Sequence, residues 1–88
     1  MPLYRMIIHG QGKFTDGIVG FYTARWCCAA TEDLAIEKIQ RRLNKEWTVG
    51  KSARMNQGGP IDLEVEQIWQ IGFLEIFATS NRGYTFYL

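Results

Sequence analysis

The segment Thr31-Glu32-Asp33-Leu34-Ala35-Ile36-Glu37-Lys38-Ile39-Gln40-Arg41-Arg42-Leu43-Asn44-Lys45-Glu46-Trp47 decides the fold. Thr31 is a capping residue, and Glu32 and Asp33 place two carboxylates in the first turn, where the helix dipole favours negative charge. Ala35, Ile36, Ile39, Leu43 and Trp47 recur at helical spacing and form one apolar stripe, with Lys38, Gln40, Arg41, Arg42 and Lys45 mainly outside it. A single amphipathic helix cannot bury its stripe alone. It requires a second layer, and the flanking sequence supplies strands.

Upstream, Leu3 to His9 alternates as a strand, with Leu3, Arg5, Ile7 and His9 on one side and Tyr4, Met6 and Ile8 on the other. Gly10-Gln11-Gly12-Lys13 and Thr15-Asp16-Gly17 are turn chemistry around Phe14. A longer strand is predicted from Ile18 to Ala29, with Ile18, Tyr22, Ala24, Trp26 and Cys28 on one face and Val19, Phe21, Thr23, Arg25 and Cys27 on the other. Downstream, Thr48 to Pro60 reads as a polar loop. Ile61 to Ile71 alternates again, with Leu63, Val65, Trp69 and Ile71 on one face, interrupted by Gln67, and Glu64, Glu66, Ile68 and Gln70 on the other. Residues 72–79 suit a short helix as well as a strand. Asn81-Arg82-Gly83 is a turn, and Tyr84 to Leu88 is a terminal strand. The expectation is a single α+β domain over 1–88: a mostly antiparallel sheet of four strands, or five if 72–79 is extended, with one helix on one face, in the order β-β-α-β-β.

Eighty-eight residues suffice for one core and not for two. Aromatic residues make up 14% of the chain, including three Trp, four Tyr and five Phe, which is a heavy load for one small sheet and helix to hide. The helix covers one sheet face. An antiparallel sheet that shows its other face to water should be polar there, yet neither face of the second strand is plainly polar. Phe21, Tyr22, Trp26, Trp69 and Tyr87 are therefore the candidate ligand or partner surface, and a homodimer is the expected way of covering it.

Few motifs carry chemistry. Gly50-Lys51-Ser52 lacks the glycine that a phosphate-binding loop needs five residues earlier, where Lys45 stands, and it follows a helix instead of preceding one. Gly10-Gln11-Gly12 has no helix start after it to receive a pyrophosphate. His9 is the only histidine and reads as a structural residue at a strand end, because no second imidazole exists for a triad or metal cluster. Pairing of His9 with Cys27 or Cys28 has no support in spacing. Glu64 and Glu66 read as a solvated strand face paired across the sheet with Arg25 or Arg5. No catalytic residue, cofactor or metal ligand is assigned. Cys27 and Cys28 are adjacent and make no disulfide framework, which suits free thiols in a reducing compartment. No stretch reads as a membrane span or a signal peptide, so a cytoplasmic location without a membrane partner is expected.

Charge is unevenly spread. Lys38, Arg41, Arg42, Lys45, Lys51 and Arg54 stand against Glu46 alone, in a chain whose net charge is only +1. A basic helix end followed by a loop, with Trp47 nearby, makes Arg41, Arg42, Lys45, Lys51 and Arg54 the candidate nucleic-acid contacts of segment 41–54. Cations near a helix C-terminus also suit its dipole, and that reading is preferred here.

Gly20-Phe21-Tyr22-Thr23-Ala24-Arg25-Trp26, the acidic helix start, Leu63-Glu64-Val65-Glu66 and Arg82-Gly83-Tyr84-Thr85-Phe86 together resemble a loose group of short bacterial proteins of the kind found in mobile integron gene cassettes. The resemblance implies a compact α+β fold in a bacterial cytosol and brings no activity or catalytic residues with it. Three function classes follow from the residues. First comes a non-enzymatic homodimeric binding module, then a nucleic-acid binder. The third is a small-ligand or enzymatic site lined by Tyr22, Trp26, Trp69 and His9, either between sheet and helix or across a dimer cleft.

Overall fold

A computed structural model describes residues 2–15, 17–49, 61–78 and 83–87. Strands β1 (Leu3–Gln11) and β2 (Gly20–Cys28) precede helix α1 (Glu32–Thr48), which is followed by β3 (Asp62–Ile71), a 3₁₀ helix (Phe73–Ala78) and β4 (Thr85–Tyr87). The sheet is antiparallel throughout, in the spatial order β3-β1-β2-β4. The expected α+β class holds. The ambiguous stretch after Ile71 is helical, so the sheet has four strands.

The helix begins and packs as its sequence requires. Thr31 Oγ1 accepts a hydrogen bond from the Leu34 amide at 3.2 Å, and Glu32 and Asp33 occupy the first turn. Ala35, Ile39, Leu43 and Trp47, each four residues after the last, are fully buried, and Ile36 packs beside them. Their counterparts on the sheet are Tyr4, Met6 and Ile8 of β1 and Cys27 of β2. A second, aromatic cluster continues the core: Trp47 stacks on Phe21 with ring centroids 5.0 Å apart, and Phe14 lies 4.8 Å from Trp47.

Thr48 belongs to α1, and most of the predicted loop 48–60, like Asn81 and Arg82 of the predicted turn, lies outside the described residues. Two further sequence-based expectations change. First, β1 runs two residues past His9, because Gly10 and Gln11 pair with Phe21 and Gly20 instead of turning. Gly10 is needed there: a Cβ at this position would collide with the Phe21 ring, which lies against the bare backbone. Second, β3 does not keep a single phase. Ile8 pairs with Val65 while Ile7 pairs with Gln67, so Glu66 is an extra residue, a β-bulge. The bulge switches the face of everything after it. Leu63, Val65 and Ile68 pack toward α1, whereas Trp69 and Ile71 share the opposite face with Glu64 and Glu66. The interruption at Gln67 is this bulge.

β4 closes the sheet beside β2 through Gly20–Tyr87, Phe21–Phe86 and Tyr22–Thr85. Gly20 matters for the same reason as Gly10. The Tyr87 ring lies against its backbone, where a Cβ would have no room. Among the described residues, no helix is long and apolar enough to cross a membrane.

Candidate functional site on the face turned away from the helix

The register places successive rows of side chains on the face opposite α1. Ile71, Leu3 and Cys28 form one row, then Trp69, Arg5 and Trp26, then Gln67, Ile7 and Ala24, then Glu64, His9, Tyr22 and Thr85. Tyr87 joins the last of these, because its ring lies 5.6 Å from that of His9 and 5.8 Å from that of Tyr22. The face therefore has an apolar half, built on Leu3, Ile7, Trp26, Trp69 and Ile71, and a polar half around His9.

In the apolar half, Trp69 is 38% and Tyr22, at its boundary, 44% exposed, while Trp26 and Ile7 are half-buried. A groove of about 560 Å³ runs between Leu3, Trp26, Ile71 and Phe73 at its end. Arg5 stands in the middle of the Trp69–Trp26 row, half-buried, with a buried Nη1 that has no hydrogen-bond partner among the described residues. A buried guanidinium donor without an acceptor costs stability, so among the described residues this Nη1 is not satisfied by the face it lies on.

The polar half is better ordered. His9 Nε2 and the Tyr87 hydroxyl are hydrogen-bonded at 2.5 Å, and the imidazole stacks on Tyr22 with centroids 4.6 Å apart and planes 15° apart. His9 Nδ1 faces Glu66 Oε1 at 3.7 Å, and Glu64 sits directly across the β1–β3 ladder from His9.

The candidate partner residues are thus divided. Tyr22, Trp26, Trp69 and Tyr87 share the face turned away from α1. Phe21 does not: it is fully buried under α1 against Trp47 and Phe14. Its position in β2 is odd where Tyr22 and Trp26 are even, and a strand sends alternate residues to opposite faces. The proposed small-ligand set of Tyr22, Trp26, Trp69 and His9 is brought onto one face, and that face lies outside the sheet–helix interior. Cys27 faces the helix core, with burial pushing its thiol up and Lys38 and Arg42 opposing that effect, so it lies on the other side of the sheet from His9. Cys28 shares the face of His9 but pairs with Leu3 at the far end of the strand.

Among the described residues, Glu64 and Glu66 pair with neither Arg25 nor Arg5 across the sheet. Arg25 points into the α1 side, 1% exposed, and donates Nη1 and Nη2 to the two carboxylate oxygens of Glu46 at 2.9 and 3.2 Å. Its Nε donates to Thr23 Oγ1 at 3.0 Å, and Thr23 Oγ1 donates to the Gly83 carbonyl at 2.6 Å. Tyr84 donates its hydroxyl to Glu46 Oε1 and offers its ring to the Arg25 guanidinium, 5.1 Å away. Burial pushes the Glu46 carboxyl up, but the hydrogen bonds from Arg25 and Tyr84, with the charges of Arg25 and Arg42, outweigh it and hold Glu46 below its ordinary value. This group ties α1 to β2 and to the approach to β4.

Of the candidate nucleic-acid residues, Arg41, Arg42 and Lys45 are exposed on α1, and Arg41 is paired with Glu37 at 2.8 Å. Lys38 donates to the Cys28 carbonyl at 2.9 Å. Lys51 and Arg54 lie outside the described residues.

Sequence reasoning treated His9, Glu64 and Glu66 separately. The only signal that joins them is the pairing of β1 with β3, two strands far apart in sequence, and the irregular alternation at Gln67 that betrays the bulge. No family model, no curated protein and no solved structure matches the chain.

Proposed function

We propose that the chain is a non-enzymatic interaction module that works as a homodimer, with the apolar half of the face turned away from α1 as the contact surface. The observation that carries this reading is the row Trp69–Arg5–Trp26, flanked by Ile7 on one side and by Leu3 and Ile71 on the other. Two indole rings beside a guanidinium match the chemistry of interface centres, which are enriched in Trp, Tyr and Arg and poor in other charges. A two-fold axis through such a row sets each chain's indoles against the other's, so one patch serves both copies. The apolar groove between Leu3, Trp26, Ile71 and Phe73 adds a concave element beside that row.

Light scattering on a sizing column tests this. At tens of micromolar the expected mass is that of two chains, and Trp69→Glu, which places a charge in the row, is expected to yield a folded monomer. A wild-type chain that elutes as a monomer at that concentration overturns the reading, as does a Trp69→Glu variant that remains fully dimeric.

A further inference from the structure

The polar half of the same face has chemistry that dimerisation does not use. We infer that His9, Glu64 and Glu66 form a binding site for a divalent transition-metal ion of the zinc type. One donor atom from each of the three lies within 4.8 Å of the others. The set is one imidazole nitrogen and two carboxylates, a donor mixture that suits zinc and its neighbours better than calcium or magnesium, which favour all-oxygen sites.

Three features of the fold build the site. Antiparallel pairing sets Glu64 opposite His9. The bulge leaves Glu66 unpaired on β1, and its carboxylate comes to 3.7 Å from His9 Nδ1. Bulges recur beside functional groups because they re-aim a side chain in this way. The imidazole, in turn, is held by partners that are not ligands, with Tyr22 stacked against it and the Tyr87 hydroxyl on Nε2. That is the arrangement by which metal-binding histidines are oriented: one ring nitrogen is tied to an oxygen and the other is presented to the ion. In the tautomer that carries its proton on Nε2, that nitrogen donates to Tyr87 Oη and Nδ1 offers its lone pair toward the two carboxylates.

Electrostatics points the same way. No Lys or Arg among the described residues pairs with Glu64 or Glu66, so two negative charges face one imidazole without a cation between them. A divalent ion neutralises both. Tetrahedral coordination at about 2.0–2.1 Å requires donor atoms roughly 3.3 Å apart. The two exposed glutamate side chains can close that distance by rotation, while His9 stays in place. Three protein ligands leave a fourth position open outward, as in zinc sites that take a water or a ligand group. All three ligands belong to one chain, so the site does not depend on the proposed dimer.

The test is calorimetric titration of the full, chelator-treated chain with zinc chloride alone, with magnesium and calcium chlorides as comparisons. One zinc per chain is expected, at the same stoichiometry in Trp69→Glu, together with weak or no binding of the other two ions. Glu64→Gln and Glu66→Gln are each expected to weaken zinc binding by about tenfold or more, and Tyr87→Phe by about tenfold through loss of the orienting bond. Glu37→Gln on the helix is expected to change nothing. Because His9 is the only histidine, the imidazole ¹⁵N resonances report on it alone, and Nδ1 is expected to shift at one equivalent of zinc. Absence of saturable binding below about 100 µM overturns the site, since it would leave less than roughly 5.5 kcal/mol of binding free energy. It is equally overturned if affinity is unchanged in both glutamate variants, or if zinc binds while Nδ1 does not shift. His9→Asn is left out because the ring packs between Tyr22 and Tyr87; the exposed glutamates carry the test without touching that packing.

Discussion

Arg5 and Arg25 lie on neighbouring strands and point to opposite faces of one sheet. Arg25 is almost wholly buried and donates from all three nitrogens, with Glu46 bidentate, Thr23 on Nε and the Tyr84 ring beside it. Arg5 is half-buried between two tryptophan strand partners, and its Nη1 has no acceptor among the described residues. The difference shows what the helix does. α1 brings Glu46 over the sheet and turns a buried charge into a cross-link between layers. No carboxylate among the described residues reaches Arg5 in the same way, and its Nη1 is left without an acceptor there.

The contrast can be broken most severely at Glu46. Glu46→Ala leaves the Arg25 guanidinium buried and uncompensated. It is expected to cost about 3 kcal/mol, the lower end for breaking a buried pair because Glu46 itself is partly exposed. Urea unfolding should show this as a lowered midpoint, and a loss below about 1 kcal/mol would mean that the pair is no cross-link. The pH dependence sharpens the same point. Glu46 is held below its ordinary 4.5 in the folded chain, so the unfolded chain binds the proton more readily. The stabilisation is therefore fully present above that ordinary value and is lost as pH falls through the folded value. The difference in stability between wild type and Glu46→Gln is expected to shrink on going from neutral pH to about pH 3. A difference that stays constant or grows contradicts the assignment.

Arg5 should behave in the opposite way. Arg5→Met removes a buried Nη1 donor that has no hydrogen-bond partner among the described residues and keeps much of the side-chain volume, so a change within about 1 kcal/mol of wild type is expected in thermal unfolding at low protein concentration. A loss as large as that of Glu46→Ala would mean that the two arginines are equivalent, and the contrast would fail. The smallest effect belongs to the exposed pair on the outside of α1. Glu37→Ala, which frees Arg41, is expected to cost no more than about 0.5 kcal/mol, and that much only at low salt.

How much of this was legible beforehand depends on whether the signal is local. The stripe Ala35–Ile39–Leu43–Trp47 and the Thr31 cap were readable because helix formation and capping are settled within a few residues. The two faces of β1 and β2 were readable for the same reason, and they place Arg25 beside Thr23 and Cys27. The partner of Arg25 was not. Glu46 lies on the opposite side of the helix–sheet interface and 21 residues away, and only docking of α1 chooses it over Glu64 or Glu66. Aromatic character alone groups Phe21 with Tyr22 and Trp26, while strand geometry separates them once one face is known to meet the helix.

The sequence by itself determined the class: one capped amphipathic helix, strands on either side of it, and more aromatic surface than one layer hides. These follow from periodicity and composition, which act along the chain. Tertiary structure decided which sheet face the helix covers, that β3 pairs beside β1, and that a bulge at Glu66 reverses the phase of Trp69 and Ile71. Register between distant strands is set by packing of the whole sheet, and a period-two pattern cannot show where one extra residue enters. That extra residue, by aiming a second carboxylate at His9, is also what makes a lone histidine part of a site.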